Sequence, residues 1–75
     1  MVFEDLKDGS VAVLKGYKKG NAQFRKKLMA MGLTEGTELK VVRKAPLGDP
    51  VEIEIRGFLL TLRKTEAEML ILKEV

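Results

Sequence analysis

Cysteine and histidine are both missing from this chain of 75 residues, and the two gaps exclude a good deal. Disulfides and zinc, the usual props of a small domain, are unavailable. So are the commonest general base and the best side-chain nucleophile. Serine occurs once, as Ser10, in a turn with no base near it in sequence. Carboxylates are present, but Glu52 and Glu54 stand two apart on the solvent side of a predicted strand, the ordinary place for strand charges. Neither glycine-rich segment cradles a phosphate: "GYKKGN" lacks the Gly-x-x-x-x-Gly-Lys-Ser/Thr spacing, and "GLTEGT" follows a helix instead of opening one. Oxygen ligands alone bind transition metals with poor affinity and selectivity. No apolar run approaches the roughly 18 residues of a membrane span, and none forms the core of a signal peptide behind Glu4 and Asp5. These gaps lead us to expect a soluble, cytoplasmic, non-enzymatic protein with no cofactor and no dedicated metal site.

What is present is aliphatic and charged. The length allows one domain, residues 1–75, and a chain of this size buries only about 60% of the surface its unfolded form exposes. The aromatic side chains are Phe3, Phe24, Phe58 and Tyr17, so the core must be built from Val, Leu, Ile, Met and Ala. Net charge is +3, unevenly spread. Between Gly9 and Thr34 stand six cations (Lys15, Lys18, Lys19, Arg25, Lys26 and Lys27) and no acid, whereas the rest of the chain holds eight cations and eleven acids. Such a segment is either a solvated face or a docking surface for an acidic protein, a nucleic acid or a membrane.

Local patterns place the elements. "LKDGS" reads as a turn and Val11 to Lys15 as a first strand, after which Gly16 and Gly20 bracket a loop. Asn21 is a suitable helix N-cap. Phe24, Leu28 and Met31 then follow at i, i+4 and i+7, a single apolar stripe with Phe24 and Leu28 expected in the core. Gly32 suits the left-handed residue that ends a helix, and Leu33 the apolar contact after it. In "ELKVVRK", Leu39 and Val41 face inward and Val42 is available to cover an end of the barrel. Val51, Ile53 and Ile55 alternate with Glu52, Glu54 and Arg56. Gly57 marks a tight turn, and Phe58, Leu60 and Leu62 share one face of a fourth strand. "TEAE" reads as one helical turn capped by Thr65, and "MLILKE" as the last strand. Five short strands and one short helix predict an all-β fold with a helix insertion, a compact antiparallel barrel or a meander; closing the sheet into a barrel would hide its edges.

The connector within "RKAPLGDPVEIEIRG" is the most unusual stretch. Pro46 and Pro50 restrict φ and push their predecessors toward extended geometry, which lowers the entropy of the loop. Gly48 can take φ > 0, and Asp49 can bond nearby backbone amides. Leu47 sits among them, either as an apolar tip for a partner or as a cap over the open end of the barrel. A loop ordered in advance loses less entropy on binding. Candidate partner-binding residues are therefore Pro46, Leu47, Gly48, Asp49 and Pro50, with Arg25 and Lys26 on the helix as a second surface.

From residue 26 onward the chain resembles the ferrous iron transport protein A (FeoA) family. The most specific piece is "APLGDPVEIEIRG", Ala45 to Gly57, accompanied by "MGLTEGT", by Leu62-Arg63 and by Glu66-Ala67 before the last strand. Leu6, Gly9 and "VAVL" extend the match more loosely toward the start. Lys27 stands where the family often has Arg, and Glu35 where it often has Pro; a lysine makes no bidentate contact of the kind an arginine would. The resemblance implies an SH3-like small β-barrel of about five antiparallel strands with a helix after the first. It implies a cytoplasmic accessory protein of bacterial ferrous iron uptake that binds and modulates the FeoB transporter through its cytoplasmic parts, including a GTP-binding domain. On that reading the membrane is met only through the transporter, weak self-association is allowed and no nucleic acid is bound. A stricter version has Arg56 or Arg63 act as a finger on GTP hydrolysis, but both fall in predicted strands or a tight turn, where reach is poor. Two alternatives remain open. One is a regulatory peptide-binding barrel like the C-terminal domain of iron-dependent repressors, although no DNA-binding part or His/Cys ligand is present. The other is a basic nucleic-acid-binding barrel, for which the basic segment offers only Tyr17 as a stacking aromatic.

Overall fold

Strict alternation in "VEIEI" makes Val51–Ile55 a strand with one wet and one dry face: Val51, Ile53 and Ile55 are buried while Glu54 is exposed. It is the third of five strands. In the computed structural model, which describes residues 6–20 and 22–75, the order is β1 (Val11–Tyr17), α1 (Ala22–Ala30), β2 (Glu38–Lys44), β3 (Val51–Ile55), β4 (Phe58–Leu62), α2 (Lys64–Ala67) and β5 (Leu70–Glu74). The strands form one sheet in the order β4-β3-β2-β1-β5, with every neighbouring pair antiparallel. Principal extents of 27 × 24 × 22 Å are too even for a flat five-stranded sheet, whose strands lie about 4.8 Å apart; the sheet curls around its own buried face. Phe3, Glu4, Asp5 and the expected N-cap Asn21 lie outside the described residues.

All five strands contribute to a single aliphatic core: Ala12 and Leu14 from β1, Leu39 and Val41 from β2, the β3 triplet, Leu62 from β4, and Leu70 and Leu72 from β5. Leu28 of α1, Ala67 of α2, and Leu6 and Leu33 close its ends. The hairpin between β3 and β4 is a two-residue turn in which Arg56 (φ 47°) and Gly57 (φ 85°) are both left-handed. That is the type I′ geometry which matches the twist of the flanking strands.

The helix ends as its sequence predicts. Gly32 has φ 103°, its N–H donates to the Met29 carbonyl at 3.0 Å, and the Leu33 N–H donates to the Leu28 carbonyl at 3.0 Å. These two bonds make a Schellman motif and leave Leu33 fully buried.

Four expectations need correction. β1 does not stop at Lys15. It continues through Gly16 and Tyr17, because β5 pairs with both across a register shift after Leu14. Phe24 is half-buried, and Leu28 alone of α1 is buried; a nine-residue helix resting on one side of a barrel has room for one fully covered side chain. Val42 covers no end of the barrel. It falls at the register shift between Val41 and Arg43 and is exposed. Phe58 pairs with Ile55 and keeps the face of Leu60 and Leu62, as the sequence predicts; at the hairpin end it is 45% exposed, with its ring close to Gly32. Thr65 does not cap the last helical turn: the turn starts at Lys64, after the N-cap residue Arg63, whose N–H donates to Glu66 Oε1 at 2.9 Å.

Candidate functional site

The β2–β3 connector is a closed, braced loop. The Ala45 N–H donates to the Pro50 carbonyl at 3.0 Å, and the Gly48 N–H donates to the Ala45 carbonyl at 2.7 Å. The second bond defines a β-turn with Pro46 at its first corner and Leu47 at its second, the arrangement proline's fixed φ prepares. Gly48 has φ 79°, and the Asp49–Pro50 peptide is cis. Asp49 turns away from the tip and accepts the Lys64 N–H at 3.0 Å. That amide belongs to the first residue of α2, one of the donors a helix start leaves without an internal partner. Asp49 thus ties the loop to an element fifteen residues further on. Its carboxylate braces the loop, and the tip is left to Leu47.

Leu47 is 91% exposed, the most exposed of the large apolar side chains among the described residues. It covers nothing, so the barrel does not rely on it as a lid. Pro46 and Pro50 are exposed beside it and Gly48 is half-buried. Below the loop, Arg43 grips Glu52 across the β2–β3 ladder, with Nε 3.0 Å from Oε1. Arg25 and Lys26, the second candidate surface, are exposed on α1, and among the described residues no hydrogen bond or ion pair joins them to the loop. The structure therefore gathers the five loop residues into one unit and leaves the two helix cations on another element.

Two features escaped sequence reasoning. Lys27 Nζ donates to Glu66 Oε2 at 2.8 Å, bridging α1 and α2 over 39 residues. Glu66 is buried, and the Lys27 hydrogen bond holds its carboxyl below the ordinary carboxylate value, helped by the Arg63 N–H and opposed by burial. The only local signal was the spacing of Glu66 three residues after Arg63, a capping pattern. The second feature is Tyr17, whose hydroxyl donates to the Leu33 carbonyl at the end of α1. Its partial burial pushes the phenol pKa up. Arg56 reaches Thr37 Oγ1 through Nη2 at 3.4 Å from its place in the β3–β4 turn. Among the described residues, no three His, Cys, Asp or Glu side chains come together to hold a metal ion, and no helix is long and apolar enough to cross a membrane.

Five curled antiparallel strands, with a helix between the first and second and a single helical turn before the last, define an SH3-like small barrel. The chain belongs to the FeoA domain family, whose model matches residues 1–74. It is 36% identical over 67 residues to an Fe(2+) transport protein A/Fe(2+) transporter FeoB fusion protein of Porphyromonas gingivalis; the match takes in 89% of this chain and spans only 8% of the fusion protein. The solution structure of the FeoA protein of Chlorobium tepidum is 41% identical and superimposes with a TM-score of 0.86, covering 100% of this chain and 70% of that one. A manganese-dependent transcriptional repressor shares the fold at 12% identity, with a TM-score of 0.90 over 100% of this chain and 41% of its own.

Proposed function

We propose that this domain serves ferrous iron transport as a non-catalytic docking module that binds the cytoplasmic parts of a FeoB-type transporter through the tip of the β2–β3 loop. The observation that carries the reading is the pairing of a 91% exposed Leu47 with a loop that two internal bonds and Asp49 already hold in shape. An exposed apolar side chain on a mobile loop would gain little by burial after ordering the loop; on a braced loop that cost is largely absent. Family membership and a relative that carries FeoA and FeoB in one chain support the choice of partner. Modulation of the transporter then follows from where the loop docks and not from chemistry supplied by this domain: Arg56 is engaged with Thr37, and Arg63 is fixed in the backbone between β4 and α2.

Titration calorimetry of the 75-residue chain against the purified transporter, with and without guanine nucleotide, tests the reading. Saturable binding is expected, reduced at least ~10-fold by Leu47→Asp, as for a central apolar contact, with the circular dichroism spectrum unchanged. Equal binding by the variant would remove the loop from the interface. No binding in any nucleotide state would overturn the direct partnership.

A further inference from the structure

We propose that the outer face of α1 docks onto an anionic phospholipid bilayer, with Arg25 and Lys26 engaging headgroups and Met29 seated between them. In an α-helix, residues three and four apart are surface neighbours. Met29 lies four residues after Arg25 and three after Lys26, so it stands one turn on, between the two cations. All three are exposed, Met29 to 45%, while Leu28, beside them, is the helix residue that enters the core. The connector leading into α1 adds the exposed Lys18 and Lys19, and β1 adds Lys15. None of these five cations has a side-chain ion pair or hydrogen bond among the described residues; Lys27, by contrast, is taken by Glu66.

The helix AQFRKKLMA holds no acidic residue, so no carboxylate of α1 offsets Arg25 and Lys26. Such uncompensated cations suit an anionic surface. Cations beside a partly exposed apolar side chain suit the headgroup layer of an anionic bilayer, where attraction to the charged lipids supplies most of the affinity. Nucleic acid fits less well, because the aromatics of the basic segment, which would stack on bases, are partly covered: Tyr17 donates to the Leu33 carbonyl and Phe24 is half-buried. The proposal does not rest on docking to a transporter, and it places the domain directly on the membrane.

Cosedimentation of the chain with phosphatidylcholine vesicles, with and without phosphatidylserine, is the test, since no protein partner is then present. Binding is expected only with phosphatidylserine, and it should weaken steeply with added salt. Arg25→Ser/Lys26→Ser should lose on the order of 20-fold, because each cation near an anionic surface contributes about fivefold. Met29→Ser should lose a few-fold. Lys40→Ser/Lys73→Ser removes the same charge from exposed positions on β2 and β5 and should lose far less. Equal losses in the two double variants would reduce the effect to net charge and overturn the assigned face. So would binding that ignores phosphatidylserine, or binding to single-stranded RNA with none to vesicles. Unchanged circular dichroism in each variant keeps folding out of the comparison.

Discussion

Lys27 and Glu66 are unequal partners: the lysine side chain is 58% exposed and the glutamate 5%. Water screens the cation, so the pair stabilises modestly, but the carboxylate has nowhere else to be solvated. Its second partner is the Arg63 N–H, so Glu66 serves at once as helix cap and as clasp between α1 and α2. In the unfolded chain this carboxyl titrates near its ordinary value of 4.5, and in the fold it titrates lower. Its contribution is therefore complete above the unfolded value and is lost as pH falls through the folded one. Glu66→Gln retains an acceptor for the Arg63 amide and loses the anion that faces Lys27. Urea unfolding at neutral pH should show the variant less stable by about 1 kcal/mol. The gap should close as the wild-type carboxyl becomes protonated at low pH. A gap that persists unchanged in acid would mean that packing around residue 66, not its charge, sets the difference.

At the scale of elements, the β2–β3 loop is held by contacts made with distant parts of the chain. Asp49→Ala removes the carboxylate that accepts the Lys64 N–H and with it this tie between the loop and α2. The expected loss is about 1 kcal/mol, with faster hydrogen exchange at the Lys64 amide and unchanged exchange in β1. An unaltered Lys64 amide would show that α2 keeps that amide covered without Asp49. The same contact marks the limit of what the sequence discloses. Features set by neighbours along the chain were legible: the alternation of β3, the Gly32–Leu33 end of α1, the turn at Gly57 and the barrel itself. Features set across the chain were not. Asp49 reads locally as a turn residue, and only the fold brings residue 64 to it. Lys27 reads as one more surface cation until α2 delivers Glu66. Gly16 reads as a breaker, yet β5 supplies the pairing that carries β1 through it. The candidate site shared this division: Leu47 was legible as a tip or a lid, and its exposure was decided by packing elsewhere.

The molecule as a whole separates what holds it together from what it presents. A single cluster of aliphatic side chains joins all seven elements, and no disulfide exists to support it. Native domains hold roughly 0.05–0.15 kcal/mol per residue, so the total here is on the order of 4–11 kcal/mol. Leu14 is fully buried in β1, the strand that pairs with both β2 and β5. Truncating it to Ala removes core contacts and leaves a cavity, a loss of about 2–5 kcal/mol. With ~4–8 °C of melting temperature per kcal/mol in domains of this size, Leu14→Ala should melt on the order of 10–40 °C below the wild type. Because the core is shared, circular dichroism and tyrosine fluorescence should report the same transition. Leu47→Asp should leave the melting temperature within a few degrees of the wild type, since its side chain supports no neighbour and surface changes stay within about 0.5 kcal/mol. Coincident melting curves for Leu47→Asp and the wild type would show that the tip is retained for something other than stability. A large loss in Leu47→Asp would return the loop to the framework of the fold and remove the physical basis for docking through it.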